Sequence, residues 1–66
     1  MIEDKPVTFD NGLTREQDDL IDDLIIDINR ISMRIEELGK HRNYSLAVTK
    51  LDEARLWLRD RKHRPA

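Results

Sequence analysis

Two groups of cationic side chains carry most of the chemistry open to this chain. Arg42 and Asn43 open a helical pattern that holds Thr49 and Lys50 about two turns further on. A helix start offers unpaired backbone N–H groups and a positive potential, so this arrangement suits an anion such as a phosphate. The second group, Arg55, Arg59, Arg61, Lys62 and Arg64, crowds the last turns of the sequence, where it is either a solvated tail or a phosphate clamp. The aromatics are Phe9, Tyr44 and Trp57, each with a face on which a nucleobase can stack. Trp57 reads as a subunit contact and Tyr44 as a brace for a bend, whereas Phe9 stands on a segment able to close over a neighbour.

Catalytic constellations are hard to assemble from the remaining residues. There is no cysteine, no glycine-rich phosphate loop and no histidine pair, since His41 and His63 lie far apart without partner ligands. Asp18-Asp19 and Asp22-Asp23 repeat at helical spacing and could hold a divalent ion. Acids at a helix start more often serve the helix dipole, so neither a metal nor a cofactor is expected, and the chain does not read as an enzyme.

These residues must be positioned by very little protein. Sixty-six residues make one domain, and below roughly 70–80 residues a single core rarely supplies more than about 3–5 kcal/mol. With disulfides and a structural metal set aside, oligomerisation is the remaining source of stability. The net charge of -2 hides a division: residues 1–30 hold nine acids and three bases, residues 31–66 five acids and nine bases. The halves attract each other, and a polyanion should go to the second. No apolar run approaches a membrane span and the first residues do not form a signal peptide, so a cytosolic protein is expected.

The pattern predicts an all-α fold, an antiparallel two-helix hairpin behind a short arm. Residues 1–13 hold Asp10-Asn11-Gly12 and no period, and read as an extended arm with a turn, in which Val7 and Phe9 are apolar contacts. Thr14-Arg15-Glu16-Gln17 is a capping box, so helix one should span about 14–38. Its seam is read from Ile21, Leu24, Ile28, Ile31, Ile35 and Leu38, spaced three and four apart. Gly39 supplies the left-handed residue that ends it. Asn43 or Ser45 caps a second helix over about 44–61, with Ala47, Leu51, Ala54 and Leu58 as its seam. That helix should fray through Arg59 to Arg64, and Pro65 closes the hairpin domain of residues 14–64. Ile25, Ile26, Met33, Leu46, Val48, Leu56 and Trp57 then fall outside the seams, more apolar surface than a lone hairpin covers, which implies a homo-oligomer.

The run Ser45-Leu46-Ala47-Val48-Thr49-Lys50-Leu51-Asp52-Glu53-Ala54, followed by Trp57, resembles the S-L-A-x-T-K-L-[DE]-E-A-x-x-W core of phage anti-CBASS sponge proteins. The likeness extends more generically from Phe9 through Glu16-Gln17 and Ile35-Glu36-Glu37-Leu38. Such sponges are compact oligomers of helical hairpins, typically hexamers, which sequester cyclic oligonucleotide messengers of bacterial immunity without cleaving them; a related hairpin traps cyclic ADP-ribose isomers in Thoeris anti-defence sponges. The resemblance implies binding of cyclic dinucleotides between protomers, with cyclic trinucleotides in a separate pocket in some members. It implies action in the host cytoplasm, on no DNA, RNA or membrane. By position, Phe9, Arg42, Asn43, Thr49 and Lys50 fall to the first pocket, and Arg59 or Arg61 to the second. The chain departs from the resemblance after Trp57, where Arg59-Asp60-Arg61-Lys62 stands in place of small apolar residues.

Two other readings compete. One is a small helical module, such as an antitoxin or transcription cofactor, binding a protein through the face of Ile26 and Met33. The other, a helical chorismate mutase, needs further helices and an arginine set that this chain lacks.

Overall fold

A computed structural model describes residues 8–65. Val7, counted with Phe9 as an apolar contact of the arm, lies outside the described residues. Two helices, α1 (Arg15–Glu36) and α2 (Arg42–His63), pack against each other as a hairpin. No strand is present among the described residues beyond an isolated bridge between Thr8 and Thr14.

The start of α1 is set by its capping box. The Thr14 hydroxyl accepts from the Gln17 N–H at 3.1 Å, and the Gln17 side chain accepts from the Thr14 N–H at 2.9 Å, which satisfies two of the orphan donors of a helix start. Gly39, at φ 110, turns the chain after α1. The second helix begins earlier than expected, at Arg42, and its cap is His41 rather than Asn43 or Ser45. The His41 Nδ1 accepts from the Asn43 N–H at 3.0 Å, the role an Asn or Ser side chain more often performs. At the other end α2 does not fray through its basic turns; it remains helical to His63 because the Lys62 carbonyl, an orphan acceptor of the last turn, receives the Asn11 side-chain amide at 2.6 Å.

The helices meet along a different stripe from the one their apolar spacing suggests. Part-buried positions in α1 are Asp18, Ile21, Ile25, Ile28, Ser32 and Ile35, and the matching stripe in α2 is Tyr44, Val48, Leu51, Arg55, Leu58 and Lys62. In heptad terms these are a and d positions. The expected seams occupied d and g, so Ile21, Ile28, Ile35, Leu51 and Leu58 are in both stripes. Ala47, also expected in the seam, is part-buried at its flank; Leu24, Ile31, Leu38 and Ala54 instead lie exposed, while Ile25 and Val48 turn inward. With the a positions inward, the Lys62 ammonium reaches Asp18 at 3.6 Å and Asp22 at 2.5 Å across the helix pair. The cost is a mixed seam, in which the Ser32 hydroxyl and the Arg55 Nε are buried without a hydrogen-bond partner among the described residues.

Only one described residue is buried. Leu13, 7 % exposed, sits under the N-terminal turn. Burying one leucine contributes about 1.5–3 kcal/mol, and the remaining apolar contacts are shared between part-exposed residues. Phe9, expected to dock the arm, is half exposed instead, because the turn points Leu13 inward.

Candidate functional site

The N-terminal turn builds the more elaborate end of the hairpin. The Phe9 N–H donates to the Leu13 carbonyl at 2.8 Å and the Gly12 N–H to the Phe9 carbonyl at 2.9 Å, closing a tight reversal that needs φ 81 at Gly12. The Asn11 carboxamide oxygen accepts from the Leu13 N–H at 3.0 Å, leaving its NH₂ group to reach Lys62. Arg61 completes the clasp by donating to the Asn11 carbonyl at 2.7 Å. A cavity of about 600 Å³ opens there, lined by Thr8, Phe9, Asp10, Asn11 and by Lys62 to Pro65 of the α2 end. Phe9 also borders a hollow of about 510 Å³ with Thr8, Arg15 and Asp19. One ring thus has apolar surface presented to solvent beside a basic helix end.

The electrostatics of this end are partly internal. Lys62 is raised above the usual lysine pKa, chiefly by its hydrogen bond to Asp22 and against a smaller lowering by desolvation, with the charges of Asp18 and Asp22 adding to the rise. Arg64 is raised too, by its hydrogen bond to Asp60. Asp18, Asp19 and Asp22 bring carboxylate oxygens together as a metal site would. The ammonium of Lys62 already rests on two of those carboxylates, so the cluster is partly neutralised from within the chain. Arg59 is exposed and forms no ion pair among the described residues, and Arg61 keeps guanidinium donors beyond the one spent on Asn11.

The other sequence-derived residues sit at the opposite end. Arg42 and Asn43 occupy the first turn of α2, and Thr49 and Lys50 follow on the same helix. A helix of 22 residues is about 33 Å long, so within one chain this set cannot share a pocket with Phe9. The backbone donors expected to be free at this helix start are largely engaged: Asn43 N–H by His41 Nδ1, and the Tyr44 and Ser45 N–H groups by the His41 carbonyl at 3.0 and 3.1 Å. What remains for an anion is the side chains of Arg42 and Asn43. The Thr49 hydroxyl donates to the Ser45 carbonyl at 2.9 Å, and Lys50 lies 3.6 Å from Glu53.

A second hollow of about 600 Å³ beside the bend is lined by Glu36, Gly39, Lys40, Tyr44, Ser45 and Val48. His41 packs its ring on Tyr44, centroids 5.5 Å apart. The structure therefore adds Asn11, Lys62, His63 and Arg64 to the neighbourhood of Phe9, and Lys40 and Tyr44 to that of Arg42. Asn11 had a legible signal, an Asx residue inside a turn two residues from the aromatic. The others depend on how the chain ends meet, which spacing does not reveal. No helix among the described residues is long and apolar enough to cross a membrane. Comparison with protein-family models, with curated proteins and with solved structures finds no match to this chain.

Proposed function

We propose that this protein is an oligomeric sponge that binds cyclic oligonucleotide immune messengers, or cyclic ADP-ribose type signals, and holds them without cleavage. The observation that carries the reading is Phe9. It is a half-exposed aromatic, fixed by a tight turn and facing a cavity whose other wall is the cationic end of α2. Base stacking on such a ring supplies about 1–3 kcal/mol, and each charge-assisted bond from a cationic side chain to phosphate adds about 1.5–3 kcal/mol, with Arg59 or Arg61 assigned to a second pocket. Arg42, Asn43, Thr49 and Lys50 reach Phe9 only from another protomer, so in this reading pockets lie between subunits of a homo-oligomer, a hexamer by the resemblance of the Ser45 to Trp57 run to anti-CBASS sponges. The protein then acts in the host cytoplasm for a phage, by sequestration and without a catalytic step.

Native mass spectrometry with a panel of cyclic dinucleotides, cyclic trinucleotides and cyclic ADP-ribose isomers tests this. Intact ligand on an oligomer is expected, with Phe9→Ala weakening it about tenfold or more. An oligomer that stays empty across the panel removes the reading. It would favour instead a protein-binding module, for which Ile26 and Met33, 48 % and 66 % exposed on the far side of α1, offer the surface.

A further inference from the structure

The positions that flank the inward stripe differ in character on its two sides. Beside the inward stripe, the e positions are Asp22, Asn29 and Glu36 in α1 and Ser45, Asp52 and Arg59 in α2, all polar. The g positions include Leu24 and Ile31 in α1, continued by Leu38 just past its end, and Ala47 and Ala54 in α2. In an antiparallel pair, g faces g and e faces e, so the apolar g residues of both helices gather on one side. That side is open: Leu24 is 39 %, Ile31 46 % and Leu38 64 % exposed.

We propose that this g side is the contact face of a two-fold dimer of the chain, with α1 of each copy lying over α2 of the other. The face is complementary to itself. Lys62 level with Asp18 sets the register, and counting at equal rise along both helices places Ala54 at a height between Leu24 and Ile31, and Ala47 between Ile31 and Leu38. A two-fold axis parallel to the helices preserves those heights, as an isologous contact requires. The large residues of one copy then straddle the alanines of the other, ridge into gap. The same counting puts Trp57 between Leu20 and Leu24 of the other copy, covering a tryptophan that is 69 % exposed in the single chain. Stacked this way, the four helices are neighbours in antiparallel order, the geometry of a four-helix bundle.

A second copy is the fitting occupant because the chain needs permanent cover. The hairpin buries only Leu13 among its described residues and spends inward positions on Ser32, Arg55 and Lys62, and a core this small is marginal on its own. The assignment does not rest on the nucleotide reading; a dimer that binds no nucleotide leaves it intact.

The chain has no cysteine, which makes directed cross-linking clean. Ile31→Cys and Ala47→Cys chains, refolded together and oxidised, should give a covalent heterodimer as the main product, while Asn29→Cys with Ala47→Cys should give little. Unmodified protein should run at an even multiple of 7.9 kDa. A wild-type chain that runs as a 7.9 kDa monomer at micromolar concentration, or cross-linking through Asn29→Cys in equal yield, overturns the proposal.

Discussion

At the bend, residues 37–41 pass from α1 to α2 on backbone hydrogen bonds and a single cap, with Leu38 N–H to Ile35 carbonyl at 3.0 Å and Gly39 N–H to Glu36 carbonyl at 3.2 Å. At the clasp, three segments distant in sequence converge: Asn11 on the Lys62 carbonyl, Arg61 on the Asn11 carbonyl, Lys62 on Asp18 and Asp22, and Leu13 buried beneath. Covalent continuity holds the bend, so its side chains are free to face solvent or a ligand. The clasp must be held by side chains, and there the same residues both stabilise the hairpin and shape the cavity beside Phe9. The proposed binding and the stability are therefore separable at one end and joined at the other.

Leu13→Ala should break the contrast outright. Truncating a buried leucine costs about 2–5 kcal/mol, comparable with everything a chain of this size has, so urea unfolding should show little or no folded baseline. Leu46→Ala, near the bend on the outer side of α2 and 49 % exposed, should change stability by less than about 0.5 kcal/mol. Equal losses in the two variants would mean that the clasp is not the stabilising end.

Gly39→Ala probes the bend itself. A Cβ there meets nothing within 4 Å, so the penalty is purely that of a positive φ, about 1–2 kcal/mol. A thermal melt that moved by far more would reveal packing against the bend in the assembled protein.

The smallest effect is electrostatic. The folded Lys62 pKa is raised above its ordinary value by Asp22, so the proton is bound more tightly in the folded state. Its stabilising contribution is fully present below the unfolded lysine pKa and is lost as pH rises through the folded one. The urea midpoint of the wild type should fall above about pH 10 by more than that of Lys62→Met, whose midpoint is lower at neutral pH and flatter on the alkaline side. Parallel alkaline profiles would remove Lys62 from the clasp.

Much of the local structure was readable from the residues alone. Thr14 with Gln17, the Asp10-Asn11-Gly12 turn and Gly39 after Leu38 each carry a stereochemical requirement that few alternatives satisfy. The pairing stripe was not readable, because apolar residues fill three adjacent heptad positions of α1 and both stripes have valid spacing. Choosing the d and g residues kept Asp18, Ser32, Arg55 and Lys62 out of the interface, which looks cheaper until the Lys62 ammonium finds Asp18 and Asp22. His41 was passed over as a cap because histidine rarely performs that role. For the candidate site, residue types pointed to a set of cations and an aromatic, while their division between two ends came only from the fold.

The Asn11 to Lys62 hydrogen bond also has a place in time. It spans 51 positions, whereas the bend joins neighbours, and closing a long loop before its contacts form is entropically unfavourable. Zippering from Gly39 outward makes the clasp the last contact to form. By the same logic it is the first to open in native fluctuations, so hydrogen exchange should be quickest for the Phe9 and Gly12 amides. The aromatic that faces the basic helix end is thus mounted beside a long-range closure, and a ligand captured there would slow the exchange of its amide as it closes the latch.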